Sequence, residues 1–157
     1  YFLDHAPWPV ADPKITLVDL NRYSLDAAAK RIARYAPLPV EANCLEPLPV
    51  KGRFDSIALC YLLHCLPGAI ADKAAVFDHL LPHLAKDGVI FGATILQGDA
   101  PRSLPARALM NVYNNKGVFS NAEDTFQGLS RALETRFADV ALRRIGAVAL
   151  FEARRPH

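Results

Sequence analysis

The side chains best suited to chemistry gather in a few short stretches. His64 stands in Tyr61-Leu-Leu-His-Cys-Leu-Pro67, directly after one of the most apolar runs of the chain. An imidazole titrates near neutrality, so His64 could accept a proton from a substrate hydroxyl; it could equally hydrogen-bond loop backbone and shape a pocket. Asp19 falls near the end of the apolar run Lys14-Ile-Thr-Leu-Val-Asp-Leu20. A carboxylate at the carboxyl end of a strand can hold both hydroxyls of a ribose, or it can cap the helix that follows. His79 and His83 have the i, i+4 spacing of a two-histidine metal site, but Leu80-Leu-Pro82 between them supplies no general-base Glu, and no third ligand is evident. Cys60 and Cys65 lack the paired knuckles of a zinc site. With Cys44 they make an odd set of three thiols, which is no disulfide framework and favours a reducing compartment.

Composition narrows the classes further. At 157 residues, 52% hydrophobic and 22% charged, the chain suits one compact domain and is too apolar for a disordered one. No apolar run approaches the ~20 residues of a membrane span. Eighteen basic residues against sixteen acidic ones leave a net charge of +2, with no excess to steer the protein onto nucleic acid or an anionic membrane. Residues 1–12 lack the basic start and apolar core of a signal peptide, so the expected location is the cytoplasm. One count stands out: of eight glycines, the first is Gly52.

The elements that must position these side chains follow from hydrophobic periodicity. Residues 14–20 read as a buried strand, and Ser24 to Tyr35 as a helix with Leu25, Ala28, Ala29, Ile32 and Tyr35 on one face. Arg22, Lys30, Arg31 and Arg34 fall mostly off that face and read as a solvated surface. Pro37 and Pro39 close the helix and frame a strand over 40–43. Phe54 to Tyr61 is the clearest strand, and its continuous hydrophobicity suits a parallel strand covered on both faces. A helix over 70–84 ends at Asp87-Gly88, before a buried strand over 89–96. Ser103 to Tyr113 reads as a helix with Pro105 in its first turn, and Asn114 to Gly117 as a turn. Ser120 with Glu123 has the spacing of a capping box at the start of another helix. Strands over 139–143 and 147–153 close the chain as an antiparallel hairpin at a sheet edge. The whole describes a single doubly wound, Rossmann-like α/β domain over 1–157, with a mostly parallel sheet and a C-terminal antiparallel hairpin.

Four segments in this order, Leu17-Val-Asp-Leu-Asn21, Glu41-Ala-Asn-Cys-Leu-Glu-Pro-Leu48, Phe54-Asp-Ser-Ile-Ala-Leu-Cys-Tyr-Leu-Leu-His64 and Leu84-Ala-Lys-Asp-Gly-Val-Ile-Phe91, resemble the class I S-adenosylmethionine-dependent methyltransferases of small-molecule type. The resemblance covers nearly the whole chain and makes these segments the second to fifth strands of that fold. It implies S-adenosylmethionine as cofactor, with Asp19 and the neighbouring Leu20 at its ribose. Asn43 stands where the family usually has an Asp that accepts from the adenine amino group; an amide oxygen still accepts, without the assistance of charge. Cys44 and Leu45 would flank the adenine, although Cys44 also reads as a small buried apolar residue. Cys60 and Tyr61 would line the methionine half. Tyr113, Asn114, Phe119 and Asn121 lie where the family builds its acceptor pocket, and suit a small polar-aromatic or polyketide-like acceptor; turn and capping chemistry explains Asn114 and Asn121 equally well.

The family's first motif, a strand and a Gly-x-Gly-type loop, is missing from these residues. That strand lies mid-sheet, and without it two strands would keep unpaired backbone groups at about 1–3 kcal/mol each. The expectation is a segment of about 40 residues or more ahead of Tyr1 that carries them, with Tyr1 to Ala6 as the helix after the loop. No Asn-Pro-Pro-Tyr-type tetrapeptide follows Phe54–Tyr61 and no basic stripe is present, so the expected partner is a small-molecule acceptor and neither nucleic acid nor membrane. A homodimer is compatible with the sequence. Two other classes stay open. An NAD(P)-dependent oxidoreductase would use Asp19 equally well, but sits poorly with the terminal hairpin and the lack of a Tyr-x-x-x-Lys pair. A catalytically silent methyltransferase fold could serve as a binding subunit.

Overall fold

A computed structural model of the chain describes residues 2–5, 7–100 and 104–157. They form two compact units, one up to Lys51 and one from Gly52 onward, each with its own sheet.

The first unit contains α1 (Phe2–His5), β1 (Thr16–Asp19), α2 (Arg22–Arg31) and β2 (Leu38–Glu41). The two strands are parallel, with Thr16 opposite Leu38 and Asp19 opposite Glu41. Helix α2 starts two residues before the periodicity suggests, because the Asn21 side chain accepts the N–H groups of Tyr23 (2.9 Å) and Ser24 (3.3 Å). It buries Leu25, and Ile32 is buried at its C-cap. A 3₁₀ turn over Ala33–Tyr35 and a left-handed Ala36 (φ 43°) then release the chain before Pro37. Arg34 and Arg31 lie on the solvated surface as read, and there pair with Asp4 of α1. Strand β2 begins at Leu38, so Asn43 lies beyond the strand rather than at its end. Pro39, which has no N–H to donate, is accommodated because β2 is an edge strand. Tyr1 and Ala6, the ends of the expected N-terminal helix, lie outside the described residues.

The second unit runs β3 (Phe54–Cys60), α3 (Ile70–Lys73), α4 (Ala75–Leu80), β4 (Leu84–Ile95), α5 (Leu104–Asn115), α6 (Phe126–Glu134), β5 (Phe137–Ile145) and β6 (Val148–Pro156). The sheet order is β3-β4-β6-β5, with β3 and β4 parallel and the other pairs antiparallel. The expected hairpin is present, with β5 longer at both ends and β6 starting one residue later and running three further, and it is closed at Gly146 (φ 60°), a backbone angle that glycine adopts without strain. The core packs Phe77 of α4 edge-on against Phe137 (6.5 Å) and Phe151 (6.1 Å), and fully buries Leu129, Leu133 and Ile90 as well. Each such side chain contributes about 1.5–3 kcal/mol by leaving water. Gly92 makes the sheet possible: a Cβ there would sit 2.2 Å from the Leu59 carbonyl oxygen and 2.7 Å from the Phe151 ring.

Five expectations change here. The helix over 70–84 is two short helices that part at Ala74, followed by a 3₁₀ turn, Leu81–His83, where Pro82 cannot continue the helical ladder. The following strand therefore starts at Leu84, and its register on β3 jumps from Leu84 opposite Phe54 to Val89 opposite Ser56. Strand β3 is an edge of the four-stranded sheet and buries only Leu59, where its apolar composition suggested cover on both faces. Ser120 and Glu123 do not open a helix; α6 starts at Phe126, where Thr125 Oγ1 accepts the N–H of Gly128 at 3.0 Å. Ser103, the expected start of α5, lies outside the described residues, and α5 continues through Asn114 and Asn115, which were expected in a turn.

Candidate active site

In the first unit the expected nucleoside-facing residues meet at the carboxyl ends of β1 and β2. Asp19 is exposed; its Oδ1 accepts the Asn21 N–H at 2.8 Å and its backbone carbonyl accepts the Ala42 N–H at 3.1 Å. The carboxylate thus steadies the turn into α2. Leu20 beside it is 68% exposed. Asn43 opens a tight turn: its Oδ1 accepts the Leu45 N–H and its Nδ2 donates to Glu46, both at 3.1 Å. An amide oxygen carries two lone pairs, so one remains for a ligand donor. Cys44 and Leu45 are half-buried. Burial, with the charge of Asp19 adding to it, pushes the Cys44 thiol up, so it stays neutral and acts as an apolar surface. An exposed carboxylate, an amide acceptor and two half-buried apolar side chains match the diol and base of a nucleoside.

In the second unit the chain leaves β3 through Tyr61, whose left-handed φ of 60° is uncommon for a residue with a side chain. Its N–H still bonds the Ala93 carbonyl at 2.7 Å. The next turn, Leu63–Cys65, carries His64 into the interior, where it is 3% exposed. Its ring meets Phe119 edge-on at 4.7 Å and Tyr61 at 5.9 Å, and Phe119 in turn packs against Tyr113 at 5.0 Å. Tyr61, His64, Phe119 and Tyr113 are therefore one continuous aromatic run with half-exposed tyrosines at both ends. Nδ1 of His64 faces the Ile95 N–H and the Thr94 hydroxyl, each at 3.4 Å. With Nδ1 accepting from backbone, the proton of the neutral ring resides on Nε2. Burial, and secondarily the charge of Lys73, pushes the His64 pKa down to about 4. Such a ring is a weak proton acceptor.

Behind the aromatic run lies a cluster of amides. Asn114 Nδ2 donates to Gln97 (2.8 Å), to the Met110 carbonyl (2.9 Å) and to Asn121 (3.0 Å). Asn121, fully buried, donates to the Ile95 carbonyl at 2.9 Å. Below it, Lys73 and Asp124 are both fully buried and paired at 2.5 Å, and Lys73 also donates to the Ser120 carbonyl. Cys60 and Cys65 are exposed, yet partial desolvation raises both thiols, so neither is a ready nucleophile at neutral pH.

Tyr61 and His64 are thus brought together with Tyr113 and Phe119. Lys73, Gln97 and Asp124 were missed as members of this region. Lys73 reads as an ordinary helix-surface lysine, and a pairing across 51 positions leaves no local signal. His83, half of the two-histidine spacing, lies 3.4 Å from the Gly52 carbonyl, and among the described residues no group of three or more His, Cys, Asp or Glu is placed to hold a metal ion.

Comparison with known proteins bears on what this arrangement serves. Residues 2–90 match a family model described as a methyltransferase domain. The chain is 45% identical over 154 residues to demethylluteothin O-methyltransferase of Streptomyces thioluteus, covering 98% of this chain and 67% of that protein. It is 36% identical over 157 residues to N-methyltransferase vrtF of Penicillium aethiopicum, covering 99% of this chain and 66% of that protein. Among solved structures, the N-methyltransferase NodS from Bradyrhizobium japonicum WM9 in complex with S-adenosyl-L-homocysteine superposes with a TM-score of 0.62 at 15% identity, over 92% of this chain and 67% of that one. The chain therefore spans about two thirds of the length of these relatives. With strand orders and terminal hairpin in keeping with that fold, the chain belongs to the class I S-adenosylmethionine-dependent methyltransferases.

Proposed function

We propose that the protein transfers the methyl group of S-adenosylmethionine to an oxygen, nitrogen or carbon of a small, polar-aromatic molecule. The observation that carries this reading is the aromatic run Tyr61–His64–Phe119–Tyr113 with its amide cluster behind, a surface suited to a flat conjugated acceptor with polar substituents. The named O- and N-methyltransferase relatives support it. When bound, S-adenosylmethionine supplies a methyl group already activated on a sulfonium. Asp19 accepts the ribose hydroxyls, Asn43 accepts from the adenine, and Leu20, Cys44 and Leu45 flank the base. Cys60 and Tyr61 line the methionine half. Tyr113, Asn114 and Phe119 orient the acceptor. For His64 we favour the pocket-shaping role over the base: its Nδ1 is turned to backbone, its Nε2 is protonated, and its basicity is low. In-line displacement at a sulfonium gains most from positioning, so a base is not required.

Both units belong, in this reading, to one domain, since the family match runs from residue 2 to residue 90. A small acceptor is preferred to nucleic acid because several arginines are engaged locally, as in Arg136 with Asp78 and Arg144 with Asp99. Among the described residues no helix is long and apolar enough to cross a membrane. The three free cysteines support a cytoplasmic location. Exposed Leu104, Leu109 and Val112 on α5 support a homodimer. Incubation with methyl-labelled S-adenosylmethionine and a panel of phenols, enols and amines is expected to place the label in a small organic product. Label entering RNA, DNA or protein, or hydride transfer from NADH, would overturn the proposal.

A further inference from the structure

We infer that Lys73 and Asp124 are positioning residues, a buried lock that holds the segment 119–124 so that Phe119 stays against His64 and Tyr113. The inference rests on the reading of that aromatic run as the acceptor wall. Segment 120–124 has no helix or strand of its own, and several of its polar groups are tied to other elements. The Ser120 N–H donates to the His64 carbonyl at 2.8 Å, and the Asn121 N–H to Asn114 Oδ1 at 3.2 Å. The Asp124 carbonyl accepts the N–H groups of Gln97 (3.2 Å) and Gly98 (2.9 Å). Lys73 reaches in from α3 to hold both the Ser120 carbonyl and the Asp124 carboxylate. The lysine thus grips main chain next to Phe119 with one bond and the far end of the segment with the other.

Stability alone is a poor reason for such a pair. Desolvating two charges offsets most of their attraction, and apolar replacements of similar volume are often neutral or better. Here the pair is also incompletely satisfied: Asp124 Oδ1 is buried with no hydrogen-bond partner. A core selected only for stability would avoid that cost. What an apolar pair could not reproduce is the directional bond to the Ser120 carbonyl, and through it the place of Phe119.

The test compares Lys73→Met, Asp124→Leu and the double variant with the unaltered protein, read by thermal unfolding and by NMR of the His64 ring. Either single variant leaves a buried charge unpaired and is expected to lower Tm. The double variant is expected to recover Tm, yet its His64 ring protons should lose the ring-current shift imposed by Phe119. Affinity for S-adenosyl-L-homocysteine should stay within about twofold, a 1.4 kcal/mol change being tenfold. A double variant with recovered Tm and unaltered His64 shifts would reduce the pair to a structural one and overturn the inference. If the double variant does not fold, Asp124→Asn supplies the readout, because its amide oxygen can still accept from Lys73. It should keep the His64 shifts near those of the unaltered protein, and complete loss of them would contradict the lock. Failure of the unaltered protein to bind S-adenosyl-L-homocysteine would strike the proposed function and leave the His64 readout standing.

Discussion

A histidine at 3% exposure whose ring nitrogen accepts from backbone is held neutral by its surroundings, and stability should record this. In the unfolded chain His64 titrates near 6.5, whereas in the fold it is pushed down to about 4. Between these values the unfolded chain takes up a proton that the folded one refuses. Its contribution is therefore full above about pH 6.5 and is lost as the pH falls toward 4, on the order of 3 kcal/mol in all. Urea unfolding across that window should show the slope in the native protein and a reduced slope in His64→Phe. A slope unchanged by the substitution would mean that His64 is not the group responsible. In the first unit, Asp19→Ala removes the carboxylate proposed for the ribose hydroxyls, where charge-assisted hydrogen bonds would be worth about 1.5–3 kcal/mol each. Affinity for S-adenosyl-L-homocysteine should fall at least roughly tenfold. Asp19, His64 and Phe119 were singled out by residue type and place in the chain. Lys73 was not, because burial of a lysine is decided by a partner far away in sequence.

Among the elements, the apolar strands were the most legible parts and the helix boundaries the least. Phe54 to Cys60 and the closing hairpin announce themselves by composition, since a packed strand needs an apolar face whatever its neighbours are. Helix starts depend on one side chain reaching one N–H, and the chain offers several candidates. Ser120 and Glu123 have the right spacing, but the segment is committed to tertiary bonds and Thr125 does the capping. Thr125→Ala should accordingly cost about 1 kcal/mol in chemical denaturation, with Ser120→Ala well below that because only its backbone is engaged. The reverse ranking would restore the capping box. Gly92→Ala is the harsher change. Its Cβ would meet the Leu59 carbonyl at 2.2 Å, and backbone cannot step aside as a side chain can. A loss of about 3 kcal/mol or more, seen as a large fall in Tm, is expected; a near-neutral variant would show that β3 and β4 can part without penalty.

For the molecule as a whole, the order of the four strand segments resembled a methyltransferase sheet, and the similarity to known methyltransferases agrees with it. Composition spoke to class and not to chemistry: a net charge of +2 argues against a polyanionic partner but is silent on which acceptor is methylated. The central claim is that the chain serves S-adenosylmethionine rather than a nicotinamide cofactor, and calorimetric titration of the full-length protein with S-adenosyl-L-homocysteine and, separately, with NAD(H) tests it most directly. Saturable binding of S-adenosyl-L-homocysteine, weakened by Asp19→Ala, with no heat from NAD(H), is the predicted result. Saturable binding of NAD(H), or no binding of either ligand, would contradict the account.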